Sequence, residues 1–339
     1  MRKLALSGLV AVATMLGSAI PAAASTANTP AGAAAAAVAR PQAAAVGAAA
    51  SLGGRISCAS PTACLAVGSD INSAGNSTPI AETLHGTTWK SVAVKSPGGS
   101  VSTELTGVSC KAANYCLVVG DYVNKAGLDL PYVLTWNGSA LTAIVKAPLP
   151  SGDALATMGG VSCVAVKSCV VFGSVASPAS LAGAAQVAWT WNGSKWGRKT
   201  AGSLGGQVAE ELTAARCFSL TSCLESGIVM NASGTPGEVF ARWNGTSLTT
   251  QTVPAPAGAF AFPADMSCSS SRSCAIVGFG FSTANTSNPA AFGFAQVWNG
   301  STWKTVKWTG PKSASLALLL GVSCVSANYC VAGGGERHR

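Results

Sequence analysis

Residues 105–145 read LTGVSCKAANYCLVVGDYVNKAGLDLPYVLTWNGSALTAIV. Four short apolar or β-branched runs alternate with turn residues: Leu105–Cys110, Cys116–Gly120, Tyr132–Trp136 and Leu141–Val145. Nothing in the stretch has a helical period, so it is read as four short strands, a to d, of one all-β unit. Asn137-Gly138 between the third and fourth runs is a hairpin signal, because both residues tolerate positive φ. Cys110 and Cys116 bracket the first hairpin, where facing residues of an antiparallel pair come within disulfide reach.

Working outward, the unit recurs. Two cysteines separated by five residues occur as Cys58 and Cys64, Cys110 and Cys116, Cys163 and Cys169, Cys217 and Cys223, Cys268 and Cys274, and Cys324 and Cys330, which uses all 12 cysteines. The first members lie 51 to 56 residues apart, a period that marks a repeat architecture. If the units fold alike, each cysteine pairs inside its own unit. The expected disulfides are therefore Cys58-Cys64, Cys110-Cys116, Cys163-Cys169, Cys217-Cys223, Cys268-Cys274 and Cys324-Cys330. Asn-Gly recurs as Asn192-Gly193, Asn244-Gly245 and Asn299-Gly300, with His85-Gly86 in the first unit. These Asn-Gly-Ser/Thr triplets are read as turns rather than as glycan acceptors. Trp136, Trp191, Trp243 and Trp298 precede Asn-Gly, while Trp89, Trp196 and Trp303 follow the glycine. Fixed register favours packing between neighbouring sheets over stacking on sugars. Gly68, Gly120, Gly173, Gly227, Gly278 and Gly334 fall four residues after each second cysteine. A glycine there signals a close backbone approach, expected near a shared axis.

Four-stranded antiparallel units at this spacing predict a β-propeller with one blade per unit, five full blades plus a partial sixth. Thr190-Trp191-Asn192-Gly193-Ser194-Lys195-Trp196 resembles a degenerate Asp-box, the Ser-x-Asp-x-Gly-x-x-Trp hairpin of sialidase-like propellers. The Ser-Cys…Cys…Gly…Trp-Asn-Gly unit as a whole is similar to secreted actinobacterial repeat proteins. The sialidase resemblance implies three arginines, a tyrosine with a glutamate partner, and a further acid. Arg55, Arg198, Arg216, Arg242 and Arg272 do not occupy matched blade positions, and Tyr115 and Tyr329 share a cysteine-loop slot. No catalytic residue carries over.

Arg2 and Lys3, the apolar run from Leu4 to Ile20 and Ala22-Ala23-Ala24 read as a signal peptide over residues 1–24. Residues 25–54 form an alanine-rich flexible segment, and residues 55–335 the propeller. Export fits the even cysteine count, because structural disulfides belong to oxidising compartments. The expectation is a secreted, extracellular protein with no membrane attachment after cleavage. The sixth unit holds strands a and b only, and residues 25–54 look like poor donors of a closing strand. Truncation of a longer protein is therefore preferred to a thin closing blade.

The net charge of +9 is the balance of 21 basic and 12 acidic residues, and the basic residues are scattered without a run of three. A nucleic-acid binder would concentrate them on one face, so no nucleic-acid partner is expected. Two histidines leave little scope for a catalytic triad, and Asp70-Ile71-Asn72 begins a calcium-like loop that Ala74 and Ala81 interrupt. No metal or cofactor is expected. The candidate ligand-binding residues are carboxylates placed on the variable-loop face. Asp70, Asp121 and Asp129 fall between strands b and c. Glu104, Asp153, Glu210, Glu211 and Asp265 fall before strand a. Variable loops on a rigid scaffold commonly carry binding. The reading is a non-catalytic extracellular binding module for a glycan or a surface protein. The alternative is a hydrolase or lyase using carboxylates around the axis, which requires Asp153, Glu211 and Asp265 to converge.

Overall fold

The computed structural model describes residues 22–23 and 55–338, apart from 61, 86–87, 144–146, 150–154, 178–179, 203–208, 231–235, 254–255, 257–258, 283–290, 307, 309–313 and 328. The expected signal peptide and alanine-rich segment thus lie outside the described residues, except for Ala22–Ala23. The described residues contain no helix. They form five four-stranded antiparallel sheets, each built from consecutive strands, and a smaller sixth sheet. The fold is a β-propeller.

Blade 1 comprises Arg55–Ser60, Ala63–Ile71, Ser77–His85 and Thr88–Val92. Blade 2 comprises Ser100–Ala112, Tyr115–Asn124, Asp129–Trp136 and Leu141–Ala143. Blade 3 runs through Leu155–Ala165, Ser168–Ser177, Ser180–Trp191 and Trp196–Gly202, and blade 4 through Ala209–Ser219, Ser222–Met230, Pro236–Trp243 and Leu248–Thr252. Blade 5 holds Ala259–Ser270, Ser273–Ser282, Ala291–Trp298 and Trp303–Val306. The sixth sheet has strand a at Ala314–Ser326 and strand b at Tyr329–His338. Its third member is the two-residue strand Ala22–Ala23, with Ala22 opposite Gly335 and Ala23 opposite Gly334. The added strand therefore comes from upstream of residues 25–54.

All six disulfides close within a hairpin, as the repeat implied. Cys58 bonds to Cys64, Cys110 to Cys116 and Cys163 to Cys169. Cys217 bonds to Cys223, Cys268 to Cys274 and Cys324 to Cys330. In each pair the two residues stand directly opposite one another across strands a and b. At three of the six positions the glycine four residues after the second cysteine answers to a contact with its own paired strand. A Cβ on Gly120, Gly173 or Gly278 would lie 1.9, 1.9 or 2.1 Å from the carbonyl oxygen of Glu104, Thr157 or Phe262 on the paired strand a. Strand a bulges just past these points, between Leu105 and Gly107, Met158 and Val161, and Pro263 and Asp265. The bulge drives one carbonyl into the place a side chain would take.

The Asn-Gly turns also differ in detail from the expectation. Only their glycines have positive φ, at 92° to 97°. The asparagine is needed for its side-chain carbonyl: Asn192 Oδ1 accepts from the N–H groups of Ser194 and Lys195, at 3.0 and 2.8 Å. The same arrangement recurs at Asn137, Asn244 and Asn299. The side chain supplies an acceptor that caps a four-residue loop.

Apolar clusters fill the gaps between adjacent blades. Trp136, Trp191, Trp243, Trp298 and Trp303 are buried in them, so these tryptophans pack sheet on sheet. A row of serines adds directional contacts. The hydroxyl oxygen of the serine before each first cysteine accepts the N–H of the next blade's first cysteine: Ser57 from Cys110, Ser109 from Cys163, Ser162 from Cys217 and Ser267 from Cys324, all at 2.9 to 3.0 Å. Blade 4 breaks the series, because Arg216 stands where that serine would be.

Candidate functional site

Strand a of every blade lines the axis, and there the bore is closed by Arg55. Its guanidinium donates to the backbone carbonyls of Thr106 at 3.4 Å, Thr213 at 3.5 Å and Ala264, which belong to blades 2, 4 and 5. Thr106 and Thr213 donate their own hydroxyls to carbonyls of the following blade, those of Met158 and Pro263. What remains is a cavity of about 50 Å³ bordered by Arg55, Arg216 and Asp265.

The seven candidate carboxylates among the described residues lie in strands rather than in connections, which corrects the expected placement. The strands outrun their apolar stretches: strand a of blade 2 begins at Ser100, five residues before Leu105. Asp70 is exposed near the end of strand b of blade 1, opposite Thr78. Glu104 and Asp121 face each other in register on blade 2, and Asp129 opens strand c two steps along the same face. This trio is the one grouping of the candidates that the fold brings together among the described residues. Glu104 accepts from Ser77 Oγ of blade 1 at 2.6 Å. Burial, and secondarily the charge of Glu104, raises the Asp129 carboxyl above its usual range. Glu210 and Glu211 belong to strand a of blade 4, opposite Val229 and Ile228. Asp153 lies outside the described residues. Asp265 is engaged by backbone: its Oδ1 accepts from Met266 N–H at 2.8 Å and its Oδ2 from Val322 N–H at 3.0 Å. No group of three His, Cys, Asp or Glu among the described residues is arranged to hold a metal ion.

Two further glutamates were missed by sequence reading. Glu225 is fully buried, and neither of its carboxyl oxygens has a hydrogen-bond partner. The oxygens of Glu238 are likewise buried and unpartnered. Desolvation raises the Glu225 pKa well above the ordinary range and that of Glu238 to about 8. The available signal was positional. Glu225 occupies a slot that in the other units holds Ala66, Val118, Val171, Ile276 and Ala332.

A groove of about 500 Å³ opens between blades 1 and 2. Lys90 and Ser91 form one wall, with Trp136 and the turn residues Gly138 and Ser139 opposite. The sequence explains why it opens here. The blade 3 position equivalent to Val67 is Phe172, which packs edge-on against Trp243 at 5.9 Å. The partners of Trp191 and Trp298 across the c–d turn are Trp196 and Trp303, at 4.9 and 5.5 Å. Around Trp136 both roles fall to smaller residues, Val67 and Leu141. Blade 1 also has Leu84 in the slot of the missing tryptophan. Less side-chain volume leaves the gap unfilled on the side of the turns.

No known family profile matches the chain, and no curated protein sequence matches it. Solved structures do resemble it. A protein of unknown function from Dyadobacter fermentans aligns over 85% of this chain and 94% of its own, with 9% identity and a TM-score of 0.55. An alpha-L-arabinanase from Penicillium chrysogenum, solved with arabinobiose, aligns over 81% and 90%, with 9% identity and a TM-score of 0.48. The fucose-specific lectin from Aleuria aurantia aligns over 80% and 84%, with 13% identity and a TM-score of 0.43. At 9% identity the likeness to the Dyadobacter protein concerns the fold alone.

Proposed function

We propose that this chain is an exported propeller that binds a glycan without transforming it, and that the groove between blades 1 and 2 is the recognition site. The observation that carries the reading is the groove itself. It combines a tryptophan edge, a lysine and several hydroxyls in one recess of about 500 Å³, the mixture of apolar wall and few polar groups typical of small-ligand sites. The bore, where an axial active site would sit, is filled by Arg55. Six disulfides suit an oxidising, extracellular setting.

The test is a glycan array probed with the oxidised full chain, followed by Ser139→Trp and Lys90→Ala. Ser139→Trp fills the groove and is expected to abolish retention. Lys90→Ala is expected to weaken retention about tenfold, the loss of one charge-assisted hydrogen bond. Retention unaffected by either change, or no glycan retained at all, defeats the proposal.

A hydrolytic reading has one observation in its favour, the pairing of Glu104 with an Asp129 whose carboxyl is held above its usual range. Two carboxyls of unequal acidity are the requirement for glycoside cleavage. Release of reducing sugar that Glu104→Gln and Asp129→Asn both abolish would establish that reading in place of simple binding.

A further inference from the structure

The repeats agree closely at two positions of strand a, and the exceptions coincide. Immediately before the first cysteine stand Ser57, Ser109, Ser162, Ser267 and Ser323, but Arg216 in blade 4. Three residues before it stand Gly107, Gly160, Ala214 and Gly321, but Arg55 in blade 1 and Asp265 in blade 5. All three exceptions border the same axial cavity. A residue that breaks a local rule without local gain is the kind retained for function.

Structural need does not account for Arg216. A serine at its place would supply the hydroxyl that clasps the next blade's cysteine N–H at the other junctions. What Arg216 makes instead is a bond from Nη1 to its own neighbour's carbonyl, that of Ala215, at 3.1 Å. It also makes a long contact of 3.9 Å from Nη2 to Asp265 Oδ1, with the two side chains 35% and 23% exposed. A partly exposed pair of that length contributes little to stability. The charges in the cavity do not balance either. Two guanidiniums meet one carboxylate, and that carboxylate already accepts two backbone N–H groups. Arg55 spends its donors on neutral carbonyls, so its charge has no counter-ion there.

We propose that the axial cavity is an oxyanion site in which Arg216, with the field of Arg55 behind it, receives a carboxylate group. A planar guanidinium fork matches a carboxylate's two oxygens. At about 50 Å³ the cavity admits such a group and leaves whatever carries it outside the bore. The site is separate from the groove between blades 1 and 2, so each stands or falls without the other.

Calorimetric titration of the full oxidised chain with sodium acetate, sodium glucuronate and neutral glucose, at constant ionic strength, tests it. Acetate is expected to bind saturably and glucose not at all. Glucuronate binding as well identifies the carrier as an acidic sugar, whereas acetate alone identifies a small free acid, and either result supports the site. Arg216→Ser is expected to weaken acetate about tenfold or more while leaving the melting temperature at or above that of the parent, because it restores the serine clasp. Asp265→Asn keeps an acceptor for Val322 and removes the competing charge, and is expected to tighten acetate severalfold. Absence of saturable binding by both anions overturns the proposal. So does acetate binding by Arg216→Ser equal to the parent's, or no tightening by Asp265→Asn.

Discussion

Glu225 is a carboxylic acid in a slot built for an aliphatic side chain. It pairs with Ala241, whose face packs against Val170, Phe172 and Ala188 of blade 3. Neither oxygen has a partner there, so burial favours the neutral acid over the carboxylate. Replacing an unsatisfied buried polar group by an apolar one of similar volume removes a desolvation cost. Glu225→Leu is therefore expected to raise unfolding free energy by about 2 kcal/mol in denaturant titrations, and a fall in stability would contradict this account. Glu238 makes a pH signature. Its carboxyl is raised from an ordinary 4.5 to about 8, so the folded state holds a proton that the unfolded state releases. The associated stability is complete below 4.5 and is lost as pH rises towards 8, at up to about 1.4 kcal/mol per pH unit. Urea midpoints measured from about pH 5 to 8 are expected to fall across that window. Glu238→Gln is expected to lessen the slope, with Glu225 supplying what remains, and an unchanged slope in that variant would assign the effect elsewhere.

At the level of the strand and hairpin, stability depends on contacts made one blade to the next. Ser109 is buried, and its hydroxyl oxygen holds Cys163 N–H at 2.9 Å. Ser109→Ala leaves that donor without its acceptor in a closed gap, and is expected to cost about 1–3 kcal/mol in chemical denaturation. A loss below a few tenths would show the clasp to be incidental. These contacts also mark the limit of what sequence reading reaches. Features that work inside one unit were legible: the cysteines opposed across a single hairpin, the Trp-Asn-Gly turn, and a close backbone approach at the glycine of strand b, though not the bulge that causes it. The serine clasp joins residues 53 to 57 apart in the chain, and a short pattern cannot announce it. The carboxylates were displaced for a different reason. Strand ends were read from apolar runs, but Ser100–Glu104 pair as strand with little apolar content, because a ladder needs backbone partners and not hydrophobic side chains. The groove followed from two small residues, Val67 and Leu141, whose shared gap becomes visible only once the blades are stacked.

Across the whole molecule, nearly every interaction named so far is local. The disulfides close hairpins, and the clasps and apolar clusters join neighbours. Such an array resembles a one-dimensional chain of units, in which blades can open one after another. Arg55 is different in kind. From blade 1 its side chain reaches carbonyls of blades 2, 4 and 5, up to 209 positions away in sequence. A cation held by three carbonyls at the centre ties the opening of one blade to the loss of bonds in three others, which turns neighbour-to-neighbour coupling into a shared event. Arg55→Met keeps the aliphatic stem and removes every donor. The expected cost is about 2–4 kcal/mol, counting hydrogen bonds to a charged group. The more diagnostic consequence is in the shape of the transition: the variant's calorimetric enthalpy should exceed its van't Hoff enthalpy, while the parent's two values agree. Equal values in the variant would mean that the packed gaps alone couple the ring, and that the arginine at its centre serves the cavity and not the fold.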